Sequence, residues 1–224
     1  MRYLITGGAG FIGSHLSKLL VSEGHDVVVM DDMSTGSVAN LLDSGVRLIP
    51  GDMTDEPRLR FECQYVDWII HLAATVGVKS TMDKTPQLIK NNIDNTNTIL
   101  KIAAELGKPI FFASTSEAYG NSPEVPLKET SKSVFGSPDV IRWSYGQSKA
   151  IGEALANFYQ KDRGLKFITG RIFNSVGPGQ SGEYGMVLPR FVQAAVKNDA
   201  LTIYGTGLQT RSFCHVEDTV RAIY

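Results

Sequence analysis

Tyr145-Gly-Gln-Ser-Lys149 sets a phenol and an ammonium four residues apart. On a helix that spacing stacks them one above the other on a single face. A free phenol has a pKa of about 10 and is a poor base at neutral pH. A neighbouring cation favours the phenolate and moves it towards the working range of a general base. A second polar segment, Ser114-Thr-Ser-Glu-Ala-Tyr-Gly120, directly follows an apolar run. Its hydroxyls therefore fall at the carboxyl edge of a sheet, where ligands bind. Thr115 there could hold a hydroxyl of a bound molecule while Tyr145 takes its proton. Each feature alone has a plainer reading, an accidental Tyr and Lys at helical spacing and an ordinary polar strand end.

The N-terminus supplies a partner for that chemistry. Arg2 to Thr6 reads as a short buried strand, Gly7, Gly8 and Gly10 as a turn, and Phe11 onward as a helix. Gly8-x-Gly10-x-x-Gly13 fits a dinucleotide fingerprint. The first glycines allow a sharp turn at positive φ. Gly10 lets backbone N–H groups approach a pyrophosphate, which sits at the positive end of the helix dipole, and Gly13 allows tight packing of helix on strand. Residues 27–30 form a second apolar strand that ends in Asp31-Asp32, and an acid at this distance grips an adenosine ribose through its hydroxyls. Asp31, first after the strand, is the ribose ligand, with Asp32 its neighbour at the rim. No basic residue lies between Met30 and Val46 to suit a 2′-phosphate, so the expected cofactor is NAD, not NADP.

These groups need a scaffold, and the order of elements describes one. Further strands read at residues 46–49, 66–72, 109–114 and 167–173. Helices read at 87–106 and at 145–163, the second ended by Gly164. Alternating strands and helices argue an α/β fold, a doubly wound parallel (Rossmann) sheet covered on both faces. After Phe173 comes a polar, glycine-rich loop at 174–182, then a helix at 186–197, a short strand at 201–204 and a helix from 216 to 224. We divide the chain into an NAD-binding domain, 1–173, and a small, truncated C-terminal substrate-binding subdomain, 174–224, which returns to the first domain near 212–224.

The 224 residues suffice for a substantial core. Charge is balanced, with Lys+Arg 22 against Asp+Glu 23, and no basic run argues for nucleic acid. Cys63 and Cys214 lie far apart without metal-ligand spacing, and no apolar run reaches the length of a membrane span. None of the four histidines reads as a ligand, and His71, at a strand end, reads as structural. The expectation is a soluble, cytoplasmic enzyme with no metal, nucleic-acid or membrane partner.

Thr6-Gly-Gly-Ala-Gly-Phe-Ile-Gly13, the Asp52 loop, His71-Leu-Ala-Ala74, Ser114 to Gly120, Tyr145-x-x-x-Lys149 and Arg171-Ile-Phe-Asn174 occur in that order. Together they resemble the NAD-dependent epimerase/dehydratase family, the extended short-chain dehydrogenases that act on nucleotide sugars. The resemblance implies that Gly7, Gly10, Phe11, Ile12 and Gly13 hold the pyrophosphate, with Asp31 on the ribose and Asp52 and Met53 at the adenine. It places Leu72, Ala73 and Ala74 along the nicotinamide half, with Asn92 and Ser114 also beside the cofactor. Tyr145 is then the base, Lys149 its electrostatic partner and ribose ligand, and Thr115 the proton-handling hydroxyl, with Ser116 beside the substrate. Asn174 is similar to the residue that contacts the nucleotide diphosphate. Tyr204 and Arg211 match the segment that holds the nucleoside and its phosphates, where a guanidinium fork suits a diphosphate. Family members extend beyond the equivalent of residue 224, and the helices at 87–106 and 145–163 pair across a homodimer.

The resemblance also implies one opening step, oxidation at C4 of a UDP-sugar to a 4-keto sugar, with Tyr145 taking the hydroxyl proton. A 4-epimerase then reduces the ketone from its other face. A decarboxylase loses CO2 from a C6 carboxylate, and a 4,6-dehydratase expels the C6 hydroxyl with the help of an acid. Dehydratases carry an Asp-Glu pair where this chain has Ser116 and Glu117, which disfavours that reaction. Glu117 with Thr115 also occurs in the decarboxylase pattern, while Tyr-Gly-Gln-Ser-Lys after Arg142-Trp-Ser is closer to 4-epimerases. The sequence therefore reads first as a UDP-sugar 4-epimerase, second as a UDP-glucuronate decarboxylase. A non-catalytic NAD-binding protein is a remaining alternative, expected to have lost Tyr145 or Lys149.

Overall fold

Adjacent residues of the central strands are apolar in pairs, one for each face of a sheet. Leu4, Val28, Met30 and Ile69 are buried on one side, and Tyr3, Ile5, Val27, Val29 and Ile70 on the other. Such two-sided strands bury in a parallel sheet that carries helices on both faces. The computed structural model, which describes residues 1–76, 82–83, 85–182 and 186–224, has that architecture. Strands β1 (Arg2–Thr6), β2 (Asp26–Asp31), β3 (Arg47–Pro50), β4 (Trp68–His71), β5 (Ile110–Thr115) and β6 (Phe167–Ile172) form one sheet in the order β3-β2-β1-β4-β5-β6. All of its pairings are parallel. The order reverses between β1 and β4, and the crevice outside the carboxyl ends at such a switch point is where ligands bind.

One face is covered by α2 (Glu56–Gln64), α3 (Thr85–Leu106) and α4 (Ser144–Arg163), whose Leu59, Ile99, Leu100, Ala103 and Ala156 join Leu4 and Ile69 in a single core. On the opposite face, α1 (Phe11–Ser22) contributes Leu16 and Leu20, and α6 (Val216–Ile223) contributes Val216 and Val220. Helix α4 stops at Gly164, whose left-handed φ of 68° suits a residue without a Cβ. Between them, α5 (Val187–Lys197) has no buried residue. Among the described residues no helix is long and apolar enough to cross a membrane.

Two local expectations fail. Residues 201–204 form no strand, and Leu201, Ile203 and Tyr204 are exposed. Their alternation had no neighbouring strand to pair with. The segment read as loop instead opens with β7 (Asn174–Val176), which pairs in parallel with β8 (Phe213–His215) across almost forty intervening positions. Helix α2 also escaped the sequence reading, because its polar residues hide a small buried face of Leu59 and Cys63. Its start carried a signal all the same, since Asp55 accepts a hydrogen bond from the Arg58 N–H and Pro57 stands in the first turn.

Candidate active site

The β1–α1 turn builds a recess in the wall of a cleft. Gly7 has φ of 73° and passes so close to the next loop that a Cβ would stand 2.6 Å from the Ala73 nitrogen. Gly8 needs no positive φ; a Cβ there would meet the Val29 side chain at 2.7 Å, so packing on β2 is what excludes larger residues. At Gly13 a Cβ would overlap the carbonyl oxygen of Gly7, so this glycine seats the helix on the turn more than on the strand. Gly10 differs from all three. A Cβ there would meet only the Gly7 oxygen, at 3.3 Å, so the space above it belongs to the cleft. Phe11, Ile12 and Gly13 supply first-turn N–H groups with no intrahelical acceptor, and no acidic side chain occupies that turn. The recess therefore fits a diphosphate. Gly13→Ala is expected to lower stability by at least about 1–3 kcal/mol, since backbone must move to accept the methyl. Thermal unfolding and copurified dinucleotide would both report the loss.

Asp31, at the end of β2, is buried and lines the same cleft. Its carboxylate accepts N–H bonds from Ala9 and Met33, each 2.9 Å, and burial raises its pKa despite them. Those bonds fix the carboxylate and leave its remaining lone pairs for the cleft. Asp32 is exposed at the rim and caps Ser34. Asp52, Met53, Leu72, Ala73 and Ala74 complete this wall. The whole cleft has a volume of about 620 Å³ and continues past Ser114, Thr115, Ser116 and Glu117 to Asn174 and Arg211.

Tyr145 and Lys149 lie on the cleft face of α4. The helix approaches β5 closely because Gly146 and Gly152 carry no side chains. A Cβ at Gly146 would overlap the Glu117 carbonyl oxygen, and one at Gly152 would stand 2.5 Å from Phe112. The phenol thereby comes within hydrogen-bonding reach of the Thr115 hydroxyl. Burial, followed by the charge of Glu117, drives the phenol pKa well above its ordinary value, and the Thr115 bond opposes them. Lys149 was expected to supply the downward pull, but no such effect appears in the protein alone. Its Nζ donates to the Ala113 carbonyl at 2.9 Å and sits 5.0 Å from the Phe112 ring centroid, and burial lowers its own pKa to about 8.

Two predicted residues lie elsewhere. Asn92 does not line the cleft. It accepts the Thr75 N–H at 2.8 Å and donates to the Thr75 carbonyl at 3.1 Å and to Ser148 at 3.3 Å, so its amide clamps the 72–76 loop to α3 and α4. Tyr204 is 72% exposed in an open turn and also stands outside the cleft wall. Asn174 and Arg211 do line it, with Asn174 donating to the Ser212 carbonyl at 2.9 Å. His71 bridges Thr6 at 2.7 Å and Thr96 at 3.2 Å, and burial lowers its pKa to about 3, so it is a neutral structural group.

Sequence reasoning missed two charged partnerships. Arg142 makes a bidentate pair with Glu117 on the cleft wall, its Nη2 donating to Oε1 at 2.9 Å and its Nη1 to Oε2. Glu153 on α4 accepts from Ser114 at 2.5 Å and from Arg171 at 2.7 Å, tying α4 to the ends of β5 and β6. Spacing offered one hint of the second pair, because Glu153 follows Lys149 by one helical turn and so faces the same sheet edge.

A parallel sheet with a glycine-cradled recess at its switch point, an acid after β2 and a Tyr–Lys helix beside β5 defines a Rossmann-type dinucleotide-binding protein. The chain belongs to the NAD dependent epimerase/dehydratase family, whose sequence profile matches residues 3–224. Its cofactor is NAD. It is 42% identical over 224 residues to the UDP-N-acetyl-alpha-D-glucosaminuronate decarboxylase of Bacillus cytotoxicus, covering 99% of this chain and 69% of that protein. It is 35% identical to UDP-glucuronic acid decarboxylase 1 of Xenopus tropicalis, covering 99% of this chain but 52% of the relative, so it spans about half of that protein. Among solved structures, the UDP-glucose 4-epimerase of Thermotoga maritima with UDP-glucose superposes with a TM-score of 0.91 at 30% identity, over 99% of this chain and 72% of that one.

Proposed function

We propose that the protein oxidises a UDP-hexuronate at C4 and releases its C6 carboxylate as CO2, making it a UDP-uronate decarboxylase. The observation that carries the chemistry is the phenol of Tyr145 and the hydroxyl of Thr115 sharing the wall of the dinucleotide cleft, close enough to influence one another. Likeness to two decarboxylases over 99% of the chain tips the choice, placing this reading ahead of the epimerase that the Tyr145 segment alone suggested.

Bound NAD⁺ supplies the oxidation of the C4 carbinol and its later reversal, and its positive ring favours the phenolate. Tyr145 takes the C4 hydroxyl proton, with Thr115 holding the same oxygen. Lys149, anchored on Ala113, holds an ammonium on the same cleft face of α4 one turn beyond the phenol, where it would take the ribose of the bound dinucleotide. The C6 carboxylate is then β to a ketone. Its C–C bond breaks, the electron pair passes into a C4–C5 enolate, and a proton adds at C5. Tyr145 finally returns its proton to the C4 oxygen. At the other end, Asp31 holds the adenosine ribose, while Asp52 and Met53 border the adenine and Leu72 to Ala74 the nicotinamide. Asn174 and Arg211 take the UDP diphosphate.

The second reading is a UDP-sugar 4-epimerase. It is favoured by Glu117 being engaged by Arg142, because an epimerase needs no acid or base beyond Tyr145. Ser116, a hydroxyl where a dehydratase needs an acid, keeps dehydration least favoured. Exposed Ile89, Ile151 and Phe158 on α3 and α4 support a homodimer through these helices.

NMR of the protein with NAD⁺ and UDP-glucuronate, UDP-N-acetylglucosaminuronate or UDP-glucose tests the choice. A UDP-pentose product with CO2 is expected from a uronate. Interconversion of C4 epimers without CO2 would replace this reading by the second.

A further inference from the structure

We propose that Arg142 is the specificity-determining residue for the sugar's C6 group, acting as the counter-charge that admits an anionic substituent beside Glu117. The proposal rests on the decarboxylase reading, since only that reaction requires a carboxylate at C6.

Glu117 sits on the short turn that follows β5, two residues beyond Thr115, and Arg142 lies three residues before Tyr145. The pair thus bridges the two segments that carry the reacting hydroxyls. Both residues line the cleft, with side chains 33% and 43% exposed, so the pair faces the cavity and is not sealed in the core. The segment bearing Arg142 is well seated. Trp143 packs edge-on against Phe135 with centroids 6.2 Å apart, and a Cβ at Gly136 would collide with its indole.

Charge around the reacting end decides what can enter. Of the basic side chains lining the cleft among the described residues, Lys149 is anchored on the Ala113 carbonyl and committed to the dinucleotide side, and Arg211 lies by Asn174. Glu117 is the carboxylate nearest Thr115 in sequence, and its charge reaches the phenol. A substrate carboxylate arriving there would meet like charge if Glu117 stood alone. Arg142 cancels it and keeps donors in reserve, because a guanidinium offers five N–H groups and Glu117 engages only two nitrogens. The fork can hold a carboxylate on each side, an arrangement that a lysine cannot reproduce. A neutral C6 hydroxymethyl group draws no comparable benefit.

Calorimetric titration of the NAD-loaded protein in a Tyr145→Phe background, where turnover is slowed enough not to interfere, compares UDP-glucuronate, UDP-glucose and UDP. Adding Arg142→Met should weaken UDP-glucuronate at least about tenfold while changing UDP-glucose and UDP by less than about threefold. Arg142→Lys should restore part of the difference. Glu117→Gln should act with opposite sign, tightening UDP-glucuronate because Arg142 is freed; this arm decides the matter if Arg142→Met does not fold. Equal losses for all three ligands, or weaker uronate binding in Glu117→Gln, would overturn the proposal. The decarboxylase reading fails separately, if the unmodified protein releases no CO2 from either uronate in the NMR assay.

Discussion

Tyr145→Phe is expected to lower turnover by about 10²- to 10⁴-fold while leaving dinucleotide binding and folding nearly unchanged. The substitution deletes one oxygen, which lines the cleft beside Thr115, and the ring remains. Thr115 keeps a second partner, the Glu117 N–H at 3.2 Å, so its hydroxyl is not orphaned. Product formation by NMR, together with the NAD content of the purified protein, checks both halves. Full activity in the variant would remove Tyr145 from the mechanism. Lost activity together with lost NAD would reassign the phenol to cofactor binding.

Lys149→Met should separate activity from stability in opposite directions. Turnover falls, by an amount comparable to the loss of Tyr145, because the ammonium one helical turn along the same cleft face disappears. The protein without added NAD should become more stable at pH 7. Lys149 is 2% exposed, and burial lowers its pKa from 10.5 to about 8, so the fold disfavours its charged form. Below about pH 8 the folded and unfolded chains both hold the proton, and the penalty is fully present. Between about 8 and 10.5 the unfolded chain binds more proton than the folded one, so stability rises with pH through that window. The shift corresponds to a few kcal/mol at most, offset in part by the bond to Ala113 that methionine cannot make. Thermal unfolding from pH 7 to 10.5 should show a rising contribution in the parent that is missing from Lys149→Met. Parallel curves would mean that Lys149 is not desolvated as its burial implies.

The groups that were legible in the sequence act through neighbours a few residues away. Gly7, Gly10 and Gly13 shape one turn, Asp31 ends the strand beside it, and Tyr145 and Lys149 share a helix face. Strand–helix alternation likewise made the parallel sheet readable, because two-sided burial leaves a continuous apolar signature in β1, β2 and β4. Spacing did not reveal which side chains turn away from the cleft. Asn92 shares α3 with Asn91 and Asn95, which do line the cleft, yet its amide is consumed by Thr75 and Ser148. Residues 201–204 alternate like a strand but find no partner, while Asn174–Val176 and Phe213–His215 pair over a distance that no local pattern encodes.

The amino-acid sequence by itself determined the sheet, the diphosphate recess, the preference for NAD and the presence of a phenol and an ammonium on one helix. All of these follow from short-range sterics, hydrophobic periodicity and the local placement of charge. Only the tertiary structure decided how that helix meets the sheet. Gly146 and Gly152 bring α4 against Glu117 and Phe112, and this contact sets Tyr145 beside Thr115. It also decided that Arg142 neutralises Glu117 and that Glu153 binds Ser114 and Arg171, since these partners are separated by 18 to 39 positions. Charges act through space, and the chain reveals which of them are neighbours only after it has folded.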